Sequence, residues 1–205
     1  MAVPPDDPDV ALMRRVKRGD LDAFTVLVNK YRQPILNLLY RMLHDATEAE
    51  DLAQATFVQV FRFAGRYREN ARFSTWLFTI ARNLCLNELR RRSRHPADSL
   101  DASTSSQPDS TPLERPDPDS PSPPGNLLHS ELEQLIQQAL DALPEKQRMA
   151  ILLCRDEELS YDQISEILGC SLSATKSLIH RGRETLKQHL KPYLQTGDWD
   201  LPAPE

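Results

Sequence analysis

Glycine is scarce in this chain: only six of the 205 residues are glycine. Phosphate-binding loops and the glycine-flanked turn that carries a catalytic serine are absent, as is the HExxH helix of zinc peptidases. The three cysteines, Cys85, Cys154 and Cys170, form no CxxC pair and are too dispersed to predict a zinc site. We therefore predict that the chain is not an enzyme and holds no cofactor or metal, and that its cysteines are free thiols.

Long apolar runs are also missing, although 40% of the residues are hydrophobic, which is enough for packed cores. No stretch approaches the roughly 18 apolar residues that a membrane helix needs. The first residues do not have the pattern of a secretory signal peptide. We expect a cytoplasmic protein without membrane insertion.

A net positive charge is absent too, since the formal charge is −5, which at first argues against a nucleic-acid partner. The charges are unevenly distributed, however. Residues 62–94 contain nine arginines and two acids, residues 171–191 contain five basic residues and one acid, and residues 95–126 contain six acids and one arginine. Because the local field governs contact with phosphates, two basic segments around an acidic spacer predict nucleic-acid binding.

Residues 159–190 have the pattern of a helix-turn-helix. Ser160 and Gln163 form a predicted capping box, Gly169 is placed for a left-handed C-terminal cap, and Ser171 can begin the second helix. That second helix has an apolar side and an opposite side of small, polar and basic residues, as expected of a helix that enters a major groove. The alternative is an ordinary helical hairpin with a solvated basic face.

The rest of the chain also has helical periodicity. The predicted helix starts are Asp9, Asp20 or Asp22, the capping pair Thr47 and Glu50, Ser74 or Thr75, and Pro144. Pro34 is expected to kink the second helix without breaking it. A basic loop with two aromatic residues, 65–74, precedes a helix that ends in an arginine cluster. This combination suits unpaired bases, although helix-dipole stabilisation would also explain the arginines.

Residues 95–126 contain eight prolines, seven serines and six acids, and show no apolar periodicity. We interpret this stretch as a disordered or extended linker. The predicted fold is therefore all-α, with two small helical domains. Their expected bounds are 1–95 for the first domain, 96–126 for the linker, 127–192 for the second domain and 193–205 for an acidic tail.

Three motifs of this chain, taken in order, resemble the extracytoplasmic-function sigma factors of the sigma-70 superfamily. They are EAEDLAQATFVQVF, FSTWLFTIARNLCLNELRRR and the stretch from ALDALPEKQ through RGRETL. The resemblance implies a region 2 bundle and a region 4 helix-turn-helix domain, which direct transcription initiation by recognising −10 and −35 promoter elements. It implies a monomer when free. The implied partners are promoter DNA and core RNA polymerase, through the clamp coiled coil of its largest subunit and the flap of its β subunit. An anti-sigma factor is a further candidate.

The main alternative is a helix-turn-helix repressor or activator that is not a polymerase subunit and binds a palindromic site as a dimer. A scaffold or interaction protein would have no need of two basic faces. The sequence also departs from the family pattern at several positions. Gly182 stands where alanine is usual, at an expected cost of about 1 kcal/mol in a helix interior.

The resemblance also assigns residues to each partner. The residues expected to bind core polymerase are Glu48, Asp51 and Gln54. Those expected at the −10 element are Arg66, Tyr67, Arg68, Arg72, Trp76, Arg82, Asn83, Asn87 and Arg90. Those expected at the −35 element are Arg155, Ser173, Lys176, Ser177, His180 and Arg181.

Overall fold

The computed structural model describes residues 7–69, 71–94, 123–155 and 159–196. Within these ranges the chain is helical, with short connections and no strand, so the all-α prediction is confirmed. The helices are α1 (Pro8–Val16), α2 (Leu21–Leu43), α3 (Ala46–Arg62), α4 (Phe73–Arg94), α5 (Pro123–Asp141), α6 (Glu145–Cys154), α7 (Tyr161–Leu168) and α8 (Leu172–Thr196), with a 3-10 turn at Ala64–Arg66.

The predicted helix-turn-helix caps are confirmed. Ser160 N–H donates to Gln163 Oε1 at 2.9 Å, and Gln163 N–H donates to Ser160 Oγ at 3.3 Å, which completes the capping box of α7. Gly169 is left-handed, with φ 64° and ψ 38°. Ser171 Oγ then accepts from Ala174 N–H at 3.2 Å at the start of α8. Local sequence signals therefore position these two helices.

The predicted cap of the first helix is wrong. Asp7 caps α1, since its Oδ1 accepts from Asp9 N–H at 3.0 Å, and Pro8 occupies the first helical position. Asp9 is buried instead, and its carboxylate accepts from Lys30 Nζ at 2.8 Å and from the hydroxyl of Tyr31. Proline suits the first helical position because its missing N–H would have no helical partner there.

The predicted capping pair of the third helix is also wrong. Asp45 caps α3, with its Oδ1 accepting from Glu48 N–H at 3.0 Å, so Thr47 lies inside the helix. The preceding residue, His44, has φ 58° and turns the chain between α2 and α3. Pro34 does not interrupt α2.

Two predicted boundaries shift in the second half of the chain. α5 begins at Pro123, inside the predicted linker, and α8 continues to Thr196, inside the predicted tail. The remainder of those two segments lies outside the described residues.

Two sets of buried side chains stabilise the fold, and a buried side chain of leucine size contributes about 1.5–3 kcal/mol. In the first half α2 packs against α1, α3 and α4, and in the second half α6 and α7 pack against α8. The fully buried members include Met13, Leu27, Ile35, Leu39 and Leu77 in the first set, and Met149, Leu153, Ile164 and Ile167 in the second. Burial also raises the pKa of the Cys85 thiol to about 12.

The two halves are in contact with each other. α7 packs against α4, and α6 packs against α2. Buried side chains of both halves consequently belong to one apolar cluster. No helix in the described part of the chain is long and apolar enough to cross a membrane.

Candidate nucleic-acid interface

The outer face of α3 carries the first predicted site. Asp51 and Gln54 are exposed, whereas Ala53, Thr56 and Val60 on the opposite side are buried. Because α3 begins at Ala46, Asp51 lies in its second turn, where the helix dipole gives an acid little stabilisation. Within the described ranges its side chain makes no hydrogen bond or ion pair.

Gln54 borders an open groove between α2 and α3 with a volume of about 470 Å³. Most of its walls are apolar, and Val58 and Phe61 at its edge are 55% and 43% exposed. Its apolar lining is Phe24, Val28, Leu36, Ala53, Phe57, Val58 and Phe61. An apolar groove with polar and charged residues at its edge is typical of a surface that binds another protein.

Glu48 has a different environment from Asp51 and Gln54. It is half-buried, and burial together with the nearby Glu88 carboxylate raises its pKa. The predicted polymerase-binding residues therefore divide into two exposed side chains and one that is partly enclosed by the fold.

The loop between α3 and α4 contains a cluster of aromatic rings. Tyr67 is only 3% exposed, and its hydroxyl donates to the Ala71 carbonyl at 2.7 Å. Its ring lies 5.3 Å from Trp76 and 6.2 Å from Phe73. The structure therefore does not bring Tyr67 to the surface, where a base could stack on it, and Phe73 is fully buried.

The same loop is tied to α1 by an ion pair that the sequence analysis missed. Arg14 donates to both carboxylate oxygens of Glu69, at 3.0 and 2.6 Å. These hydrogen bonds lower the pKa of Glu69, which is the only acid between α3 and α4. The partners are 55 residues apart in sequence, so no local pattern could have revealed them.

The predicted −10 residues that remain accessible form two groups. Arg66, Arg68 and Arg72 are exposed on the loop. Asn83, Asn87 and Arg90 are exposed on α4, while Arg82 and Trp76 are half-buried. Because positions 83, 87 and 90 are spaced by four and three residues, these three side chains share one face of α4.

Part of the arginine cluster at the end of α4 is used within the fold. Glu88 accepts from Arg91 at 2.8 Å and from Arg92 at 2.9 Å, and these arginines lower its pKa. Arg92 also donates to the Leu43 carbonyl at the end of α2, at 3.0 Å. Arg90 has no such partner in the described ranges.

Helix α8 has the buried side and the exposed side that its residue spacing predicts. Thr175, Ile179 and Gly182 are buried on the inner side. The outer side exposes Ser173, Lys176, Ser177, His180 and Arg181. Arg155, at the end of α6, is exposed as well.

Gly182 has a packing role that the sequence did not reveal. A Cβ atom at this position would lie 2.7 Å from Cγ1 and 3.0 Å from Cδ1 of Ile151. The glycine therefore lets α8 approach α6 closely. Glycine lowers the helix propensity of α8 at this position, but it also permits this close packing.

Comparisons with known proteins agree with this arrangement. Residues 27–95 match the family Sigma-70 region 2, and residues 133–186 match Sigma-70, region 4. The RNA polymerase sigma-H factor of Pseudomonas aeruginosa is 38% identical over 92% of this chain and 97% of its own length. The ECF RNA polymerase sigma factor SigW of Bacillus subtilis is 37% identical over 87% of this chain and 95% of its own.

Two solved structures share the fold. CnrH in complex with the cytosolic domain of CnrY has a TM-score of 0.67 at 21% identity, covering 91% of this chain and 99% of that one. The sigma factor RpoE in complex with the anti-sigma factor NepR from Bartonella quintana has a TM-score of 0.61 at 24% identity, covering 82% of this chain and 96% of that one.

Proposed function

This chain belongs to the extracytoplasmic-function sigma factors of the sigma-70 family, and from that membership we propose which of its faces bind polymerase and which bind DNA. Members of this family direct promoter-specific transcription initiation by bacterial RNA polymerase, and so does this chain. Sigma factors are non-enzymatic initiation factors, and we propose that this one likewise catalyses no reaction of its own. The family match disfavours a repressor that acts without polymerase.

The face of α3 with Asp51 and Gln54, together with the adjoining groove, binds core polymerase through the clamp coiled coil of its largest subunit. The observation that carries this assignment is the exposed face of α3, on which Asp51 has no ion-pair partner among the described residues and Gln54 borders an open apolar groove. Glu48 lies at the margin of this surface. A cationic group of the partner would lower the raised pKa of Glu48.

The loop arginines and the exposed face of α4 bind the −10 element. Arg66, Arg68 and Arg72 contact phosphates of the unpaired strand, and the half-buried Trp76 offers a ring edge to a base. Tyr67 acts as a positioning residue, because its buried ring and its hydrogen bond to Ala71 fix the course of the loop.

The outer side of α8 reads the −35 element in the major groove. Arg181 lies at the C-terminal end of the exposed stripe and can reach a base edge, while Arg155 contacts the DNA backbone. The same domain contacts the flap of the polymerase β subunit. An anti-sigma factor is a further partner, supported by the apolar groove on the first domain.

Two substitutions test this separation of binding surfaces. Asp51→Ala should weaken binding to core polymerase and leave the affinity for −35 duplex DNA unchanged. Arg181→Ala should do the reverse, with a loss of about 1–3 kcal/mol in −35 affinity and unchanged core affinity. Titrations of the full chain with core polymerase and with duplex DNA measure both quantities.

Matched controls exclude a simple effect of charge. Arg183→Ala removes the same charge from the other side of α8, and Asp22→Ala removes an exposed acid from the first turn of α2. Neither should reproduce the loss caused by its counterpart. If Asp51→Ala left core affinity unchanged, the assignment of the α3 surface to polymerase would be wrong.

A further inference from the structure

The end of α1 and the turn after it carry a concentration of positive charge. All of the basic residues there are exposed: Arg14, Arg15, Lys17 and Arg18. The surfaces proposed to bind DNA or polymerase include none of them. Arg15 is paired locally, because it donates to Asp20 Oδ2 at 2.8 Å. Arg14 and Lys17 differ from it, since both reach the loop between α3 and α4.

Helix α1 is anchored in the core of the first domain. Its inner side is buried, with Met13 fully enclosed and Val10 and Val16 nearly so. The buried carboxylate of Asp9 accepts from Lys30 Nζ on α2, which ties the start of α1 to the same core. Side chains that extend from α1 therefore have a support that the loop does not supply by itself.

Two contacts run from α1 to the loop. Arg14 donates to both carboxylate oxygens of Glu69, through Nε at 3.0 Å and Nη2 at 2.6 Å. Lys17 Nζ donates to the Tyr67 carbonyl at 2.7 Å and lies 5.4 Å from the centre of the Tyr67 ring. Residues three apart share one side of a helix, so both contacts come from the same side of α1. A bidentate guanidinium–carboxylate pair fixes orientation as well as distance.

These contacts determine how the loop presents its DNA-binding groups. The backbone at Tyr67 is extended, with φ −61° and ψ 129°, and adjacent side chains of an extended segment point to opposite sides. Because the Tyr67 ring is buried, Arg68 points to solvent. The same ring lies 5.3 Å from Trp76, which is proposed to meet a base. Holding Tyr67 in place therefore orients both a phosphate-binding arginine and a base-contacting ring.

The two contacts matter more for the loop than for the stability of the whole fold. The side chains of Arg14 and Glu69 are 52% and 40% exposed, and exposed ion pairs stabilise a fold only weakly. The loop itself carries like charges that repel one another, on Arg66, Arg68 and Arg72. Ordering a long side chain during binding weakens a complex by about 2- to 10-fold. A loop that is already ordered avoids this loss.

We propose that Arg14 and Lys17 are positioning residues for recognition of the −10 strand, because α1 holds the loop in its DNA-binding conformation before DNA arrives. The proposal rests on the proposed function of the loop, and it adds two residues that touch no nucleotide. It requires that breaking the contacts weakens −10 binding even where the net charge of the protein is unchanged.

A charge-neutral double variant separates positioning from simple attraction. Arg14→Met with Glu69→Gln removes one positive and one negative charge and breaks the ion pair. If the pair acted only through its charge, this variant would bind the −10 strand like wild type. Positioning predicts binding that is about 2- to 10-fold weaker. The exchanged pair, Arg14→Glu with Glu69→Arg, restores an ion pair at the same place and should recover most of the lost affinity.

Lys17 has a matched control in Arg18. Lys17→Met removes the donor to the Tyr67 carbonyl and keeps an unbranched apolar chain beside the ring. It should weaken strand binding by about 2- to 10-fold. Arg18→Met removes the same charge from the next position, where the side chain makes no hydrogen bond or ion pair with any described residue. This control should leave strand binding close to that of wild type.

Fluorescence anisotropy with the full chain bound to core polymerase measures these affinities. The probes are a single-stranded DNA that the wild-type complex selects from a random pool, and a scrambled strand of the same composition. Loss of positioning lowers the preference for the selected strand, whereas loss of charge weakens both strands alike. Wild-type affinity and preference in both Arg14→Met/Glu69→Gln and Lys17→Met would overturn the proposal, and so would an equal loss in Arg18→Met.

A failure of the proposed function would give a different result. If Arg68→Ala with Arg72→Ala also bound the selected strand like wild type, the loop would not be the −10 site. If that loop variant were defective while the α1 variants were normal, only the positioning role of α1 would be wrong.

Discussion

At most glycines inside a helix, replacement by alanine stabilises the protein, but we expect no such stabilisation at Gly182. Alanine is favoured over glycine in a helix interior by about 1 kcal/mol. Here the new Cβ would lie 2.7 Å from Ile151 Cγ1, well inside the roughly 3.5–4.0 Å at which carbon atoms pack favourably. Because Cγ1 is close to the backbone, it moves only if the side chain changes rotamer or α6 shifts. Overpacking of this kind costs about 1–3 kcal/mol.

The two effects can be separated with a second substitution. Ile151→Ala removes both crowding atoms, and we expect it to destabilise the second domain by about 2 kcal/mol, since Ile151 is only half-buried. In that background Gly182→Ala should stabilise the domain by up to about 1 kcal/mol. In the wild-type background it should be neutral or destabilising by up to about 2 kcal/mol. The expected coupling between the two sites is therefore about 1–3 kcal/mol.

Native-state hydrogen exchange is the appropriate measurement, because it reports the opening free energy of α6 and α8 separately from the first domain. The amides of α2 provide an internal control, since they should be unaffected. If Gly182→Ala stabilised α8 by the same amount with and without the Ile151 side chain, the close approach of α6 and α8 would be refuted.

Two further outcomes follow from the first domain. Glu88→Gln should lower the free energy of unfolding by up to about 1 kcal/mol at pH 7. Since the arginines depress the pKa of Glu88 in the folded state, this contribution is present above about pH 4.3 and is lost as the pH falls through the folded pKa. The difference from wild type in urea titrations should shrink below about pH 4, and a constant difference would contradict the ion-pair origin. Arg68→Ala with Arg72→Ala should weaken binding to single-stranded −10 DNA and slow open-complex formation, with rescue by a pre-melted promoter. A defect confined to −35 duplex binding would show that the loop is misassigned.

The sequence was most informative where the cause of structure is local. The capping box of Ser160 and Gln163 needs only residues three apart, and the exposed stripe of α8 follows from helical periodicity. The same reasoning failed at Thr47, because Asp45, two residues earlier, also offers a capping oxygen and the left-handed residue before it ends α2 at that point. Two candidate capping residues in one short connection cannot be ranked by spacing alone.

Contacts between distant parts of the chain could not be predicted. The Nε2 group of Gln163 donates to Thr75 Oγ1 at 3.2 Å, although the two residues are 88 apart in sequence. No periodic pattern in the sequence reveals such a contact. Tyr67 illustrates a related difficulty, because an aromatic residue in a basic loop suits either a stacking platform or a core. Its 3% exposure and its hydrogen bond to Ala71 select the core.

The ion pair between Arg14 and Glu69 has a consequence for counterion release. Contact with a single-stranded phosphate changes the slope of log affinity against log salt by about −0.7. The three exposed arginines of the loop can therefore contribute a slope of about −2, provided that no acid within the loop offsets them. Arg14 compensates the only such acid from a different helix. The salt dependence of −10 strand binding is thus set partly by α1, which contributes none of the residues proposed to contact DNA.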